Sequence, residues 1–126
     1  MKRIRGLQQI SHKGKEIIFS DYGELSGQEF IDQMKRNVEE CAQMVTLSGG
    51  CPVLILSDVT DAMVTPTVFD ALKQYLAAAK PFTKARAVVG VTGAKKQLLQ
   101  LANLSSGVET RAFSTLEEAK EWLVQQ

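Results

Sequence analysis

Little in this sequence speaks for specialised chemistry. Its 126 residues include 2 cysteines, 1 histidine, 3 prolines and 1 tryptophan, and aromatics make up only 6%. Cys41 and Cys51 stand apart, with no Cys-x-x-Cys pair and no clustered histidines, so no metal site is expected and free thiols are. That usage favours a reducing cytoplasm. No nucleophile elbow, P-loop or dinucleotide fingerprint is present, and Gly90-Val91-Thr92-Gly93 is too short to cradle phosphates. No cofactor is implied. No apolar run is long enough to span a bilayer, and no apolar segment follows Met1-Lys2-Arg3 as a secretory signal would require. Lys and Arg number 15 against 14 Asp and Glu, a net charge of +1, so no general attraction to nucleic acid or anionic lipid is expected. The local basic cluster Lys2, Arg3, Arg5, Lys13 and Lys15 reads as a solvated strand and turn, with an anionic partner as the alternative.

What is there is an ordinary soluble composition, 44% apolar, in a chain long enough to build one core without staples. A single domain over residues 1–126 is expected. Its organising stretch runs from Val53 to Lys80. Val53-Leu54-Ile55-Leu56 is a short apolar run without alternation, the pattern of a strand buried on both faces. A polar segment follows, Ser57 to Asp61. Thr65-Pro66 then offers an N-cap and a first helical residue, and Val68, Phe69, Leu72, Leu76 and Ala79 recur at helical spacing.

Arg3 to Ser11 reads as a strand with Ile4, Leu7 and Ile10 as its apolar contacts. His12 to Lys15 is a turn in which Gly14 takes positive φ, and Glu16 to Asp21 pairs back as a hairpin strand. Ser26-Gly27-Gln28-Glu29 has the form of a capping box. It opens a helix with Phe30, Ile31, Met34, Val38, Cys41, Ala42 and Val45 on one face, broken at Ser48-Gly49-Gly50. Ala85 to Val91 is another interior strand. A helix of roughly residues 94–104 follows Thr92-Gly93, then a short strand from Glu109 to Phe113 with Val108 and Phe113 inward. Ser114-Thr115-Leu116-Glu117 reads as a second capping box before a helix with Ala119, Trp122 and Leu123 buried. The order ββαβαβαβα predicts an α/β fold: a mixed, mostly parallel sheet of about five strands, with four helices.

Four pieces in this order resemble the SpoIIAA-like STAS family, in the branch of small stand-alone bacterial proteins grouped with STAS and CRAL-TRIO (lipid-carrier) domains. They are His12-Lys13-Gly14-Lys15-Glu16-Ile17 leading to Asp21-Tyr22; Val53 to Thr60 followed by Thr65-Pro66; Ala87 to Gly93; and Phe113-Ser114-Thr115 leading to Glu118 to Leu123. The resemblance implies a STAS fold. In STAS domains a phosphorylatable serine opens the helix after the central strand. Here the Asp-Ser-Ser-Gly type of signature is absent, and Thr65, followed by proline, is the one hydroxyl at that place. Thr65 is thus a phosphorylation candidate as well as an N-cap.

The C-terminal strand ends should share one sheet edge, where open α/β sheets bind ligands. Asp21, Tyr22, Asp58, Thr60, Asp61, Met63, Val64, Thr65, Thr92 and Gly93 are the candidate partner- or ligand-binding residues. Asp58 and Asp61 are the pair an acid/base or divalent-ion site would use, but Asx-type turns account for them as well. Ala62-Met63-Val64 either folds under or forms an exposed patch. The expected function is a non-catalytic, cytoplasmic regulatory module that docks a protein partner, or a second copy of itself, through this loop and helix start. The alternative is a carrier or sensor of a small apolar or nucleotide ligand, with Met34, Met44, Met63 and Phe69 lining a groove. His12 is expected to be an exposed turn residue.

Overall fold

The computed structural model describes residues 4–107 and 109–126. Its first regular unit is a hairpin of β1 (Gln8–His12) and β2 (Lys15–Asp21). Lys13 and Gly14 form the two-residue turn with φ of 51° and 81°, the left-handed pair that matches the twist of the flanking strands. Then follow α1 (Gly27–Leu47), β3 (Val53–Asp58), α2 (Pro66–Ala79), a short 3-10 turn at Lys80–Phe82, β4 (Thr83–Val89), α3 (Lys95–Ser106), β5 (Thr110–Phe113) and α4 (Leu116–Leu123). The order is the predicted ββαβαβαβα.

The five strands lie in sequence order, β1-β2-β3-β4-β5, with β1 antiparallel and the others parallel. Each βαβ step moves one strand in the same direction. Right-handed crossovers therefore place α1, α2 and α3 on one face of the sheet, and α1 packs on α2 and α2 on α3. After β5 the chain turns under, and α4 packs on the other face.

Alternation assigns the strand side chains to these faces. Ile17, Leu54, Leu56, Ala87 and Val89 meet Ala119 and Leu123 of α4. Leu56 and Leu123 are fully buried, each contributing about 1.5–3 kcal/mol of transfer free energy. The opposite face carries Ile18, Ser20, Ile55, Ser57, Arg86, Val88 and Thr110. It is more polar than a face under three helices needs to be.

Several local expectations shift. β1 starts at Gln8 rather than Arg3; Arg5 instead donates to the carbonyls of Asp21 and Gly23 at 3.1 and 2.7 Å, and Ile4 is exposed. Ser26 is the N-cap of α1, but its side chain makes no capping bond. Gly27 enters the helix at φ +56°, and that left-handed step carries the Ser26 hydroxyl away from the Glu29 N–H. At α4 the cap is one residue later than expected: Thr115 accepts from the Glu118 N–H at 3.2 Å. α3 continues to Ser106 and stops at Gly107, which is left-handed. Val108 lies outside the described residues. His12 is half-buried at the end of β1 rather than exposed, with Nε2 2.9 Å from Glu121 Oε1. Among the described residues no helix is long and apolar enough to cross a membrane.

Candidate ligand site

The loop from β3 to α2 is built as expected at its two ends. Asp58 accepts from the Thr60 N–H at 2.9 Å and from the Thr60 hydroxyl at 2.6 Å, closing an Asx turn. Thr65 caps α2 by accepting from the Val68 N–H at 3.3 Å, with Pro66 at the first helical position. Asp61 is exposed at φ +60°. The three apolar loop residues divide: Ala62 is buried, Val64 packs half-buried on the same cluster, and Met63 is 61% exposed. The loop is stitched to its neighbours through backbone bonds from Glu24 N–H to Thr60 O, Met63 N–H to Leu25 O, and Val59 N–H to Val89 O.

The other candidates spread rather than converge. Asp21 turns back on the Gly23 N–H and lies 3.6 Å from Arg5. Thr92 and Gly93 are exposed and supply carbonyls to the N–H groups of Lys95 and Lys96. Among the described residues no cluster of His, Cys, Asp and Glu is arranged to hold a metal ion. Asp58 and Asp61 thus act as turn residues.

Tyr22 leads elsewhere. It leaves the sheet edge and packs on α1, its ring stacked on Phe30 at 5.5 Å. Its hydroxyl accepts from Asn37 Nδ2 at 3.1 Å, Gln33 donates to Asn37 at 2.9 Å, and Arg36 donates to Gln33 at 2.9 Å. Gln33 and Asn37 are buried. A polar chain therefore runs down the inner side of α1 and ends on a tyrosine. Burial raises the Tyr22 pKa above its ordinary value, against the lowering pull of its bonds to Asn37 and Ser20.

Tyr22 forms one wall of a cavity of about 100 Å³ between the sheet and α1, α2 and α3. Phe30 and Met34 come from α1, Leu72 and Leu76 from α2, and Leu98 and Leu99 from α3. Val64 and Val91 close it from the flanking loops. Lys95 stands at the rim, shared with a shallow surface depression beside Met63, and donates to the Val59 carbonyl at 3.1 Å. Of the four residues expected to line a groove, Met34 does so. Met63 belongs to the outer depression, while Met44 and Phe69 line neither.

The sheet forms the floor, and there the lining turns polar with Ser57, Arg86 and Thr110. Register pairs Ile18 with Ile55, Ile55 with Arg86 and Arg86 with Thr110, so these side chains make one row across four strands. Arg86 Nη2 reaches Thr83 Oγ1 at 3.3 Å. Its Nε is buried without a partner, as is the Thr110 hydroxyl. The surface that Arg86 retains faces the cavity and a second void of about 30 Å³ beside Asn37 and Cys41. Burial lowers the Arg86 pKa below its ordinary value, but a guanidinium keeps its proton at any physiological pH. Arg86, Thr110, Gln33 and Asn37 were not among the sequence candidates. An arginine inside Ala85-Arg86-Ala87-Val88-Val89 was the available signal, since a strand covered on both faces has no solvent side for it.

No family model and no curated protein matches the sequence. Among solved structures, the chain is similar to the crystal structure of an uncharacterized protein from the DUF3478 family from Shewanella loihica PV-4, described as having a SpoIIAA-like fold. The likeness covers 98% of this chain and 98% of that one, at 22% identity and a TM-score of 0.63. The fold is SpoIIAA-like. Thr65 stands at the start of α2 in this arrangement, and its oxygen is engaged there as the cap.

Proposed function

We propose that residues 1–126 form one non-catalytic, STAS-like binding module of the cytoplasm, and that it acts by holding a small ligand in the cavity between the sheet and α1–α3. The observation that carries this reading is the cavity itself, apolar on its helical walls, with Ser57, Arg86 and Thr110 among the residues of its floor. Few convergent polar groups in an apolar pocket are the usual form of a small-molecule site. At about 100 Å³ it is somewhat smaller than the ~150 Å³ engineered cavity that takes benzene. It suits the body of a small molecule, or one end of a longer one that leaves past Lys95. The apolar walls favour such a body over a nucleotide.

Native mass spectrometry of the protein purified from its own host tests this. One small molecule per chain is expected, and it should be absent from the cavity-filling variant Leu72→Trp. A bare chain mass, combined with no thermal shift on adding apolar compounds, would retire the reading.

A second reading has its own observation. Met63 is 61% exposed on the loop that forms the cavity's outer wall, which supports docking of a protein partner or a second copy. Ala62 and Val64 are packed inward, so Met63→Glu is the variant that tests docking without disturbing the fold. Altered sedimentation or loss of a co-purifying partner is the expected result; unchanged behaviour in both removes this reading.

A further inference from the structure

We infer that the ligand of this cavity is a monoanion, an apolar molecule ending in a carboxylate that sits against the Arg86 guanidinium and the Thr110 hydroxyl. The inference rests on the ligand-site reading above and names its chemical class.

Arg86 is a deep cation without an anion. Among the described residues it makes no ion pair, and its one side-chain bond is to a neutral hydroxyl at 3.3 Å. The titratable groups that act on it electrostatically are Tyr22 and Cys41. Burial raises both of their pKa values, so both are neutral at pH 7. A guanidinium cannot shed its proton to escape burial, unlike lysine or histidine. Removing such a charge from water is costly unless it is paired and hydrogen-bonded. The unpartnered Nε and the unpartnered Thr110 hydroxyl belong to register partners on adjacent parallel strands, and both residues line the same cavity. Each leaves one donor beneath the cavity floor that no group among the described residues satisfies.

Charge counting selects the acceptor. One buried cation balances one negative charge. A phosphate monoester carries about −1.5 to −2 at pH 7, so part of its charge would stay unbalanced among apolar side chains. Lys95 does not supply the difference, because it stands at the rim with its ammonium on the Val59 carbonyl. A carboxylate matches both the charge and the planar geometry of a guanidinium. With the head on Arg86, the tail runs between Met34, Leu72, Leu76 and Leu98, and a longer one leaves past Lys95.

Calorimetric titration of the intact protein with octanoate, 1-octanol and octyl phosphate at pH 7 decides the matter. Octanoate is expected to bind at least tenfold more tightly than either. Arg86→Met should lose octanoate at least tenfold while holding 1-octanol as well as before. Thr110→Val, nearly isosteric, should weaken octanoate about threefold or more and leave 1-octanol unchanged, and it serves should the Arg86 variant fail to fold. Equal binding of octanoate and 1-octanol overturns the anion and leaves the apolar cavity standing. Tightest binding of octyl phosphate overturns the single charge. Failure of all three to bind overturns the ligand-site reading as well.

Discussion

Arg86 and Thr110 are register partners across β4 and β5, and each carries a buried polar atom with no partner. Lone buried charge is destabilising, and replacing buried ionic groups by apolar ones of similar volume is often neutral or stabilising. Natural proteins accept departures of this kind at functional sites, which is why the pair belongs to the ligand site proposed above.

Arg86→Met should therefore stabilise the unliganded protein, by about 1–3 kcal/mol, or roughly 3–10 °C in Tm for a domain of this size. Thermal and urea denaturation of the ligand-free proteins measure it. A variant less stable than the parent by more than about 1 kcal/mol would mean that Arg86 is held by packing of its stem and serves structure first.

Tyr22 provides an alkaline limb. Burial raises its folded pKa above 10.0, and a phenol is neutral below its pKa. The favoured neutral form contributes stability that is fully present below about pH 10 and is lost as pH rises through the folded value. Cys41, raised from 9.0 mainly by burial, acts with the same sign starting lower. Arg86, the cation facing both, stays protonated. Urea unfolding from pH 7 to 11 should show stability falling above pH 9 in the parent and a shallower fall in Tyr22→Phe. At pH 7 the same variant should lose about 1 kcal/mol, because Asn37 Nδ2 no longer has the phenol oxygen to donate to.

The acid limb involves the other face of the sheet. Glu121 lies 2.7 Å from Lys13 Nζ and 2.9 Å from His12 Nε2, joining α4 to the hairpin. Its bonds to Lys13 and His12 lower its pKa from 4.5. A depressed carboxylate contributes stability above its unfolded pKa and loses it as pH falls through the folded value. Glu121→Gln should remove part of the loss of stability below about pH 4.5, with little change at pH 7, because the carboxylate is exposed and screened. Identical acid profiles for parent and variant would show that the contact carries no free energy.

The architecture was legible because each element announces itself locally. Val53-Leu54-Ile55-Leu56 has no polar alternation to permit a solvent face, Thr65-Pro66 starts a helix by its own chemistry, and the glycines fall at element boundaries. The caps were legible only to within a residue, since Ser26 and Thr115 depend on how Gly27 and Ser114 set the entering backbone. The site was legible in its neighbourhood but not in its contents. Asp58 and Asp61 read as a carboxylate pair on a loop, yet Asp58 is engaged in local turn bonds and Asp61 is exposed beside it. Gln33, Asn37 and Arg86 look like surface residues in isolation. They turn inward only when α1 lies over β2 and β4, a relation carried by long-range packing and absent from any short window of sequence.

Gly90 fixes the cavity's outer wall, and its replacement gives the sharpest structural prediction. It follows β4 at φ +86°, a conformation that other residues adopt at a cost. A Cβ there would also sit 2.5 Å from Thr60 Oγ1 and 2.7 Å from its Cα. The Thr60 hydroxyl has no room to yield, since it donates to Asp58 at 2.6 Å and closes the Asx turn. Gly90→Ala thus combines backbone strain with a clash against main chain, and a loss of about 2–4 kcal/mol is expected. The damage should be concentrated where β4 meets the loop. Hydrogen exchange should quicken at Val59, whose N–H bonds the Val89 carbonyl, and at Glu24, whose N–H bonds the Thr60 carbonyl, while amides of β2 far from the loop, such as Ile17 and Ile18, slow or quicken only with global stability. Unchanged protection at Val59 and Glu24 in a folded Gly90→Ala variant would mean that the loop moves off β4 freely and does not depend on this close approach.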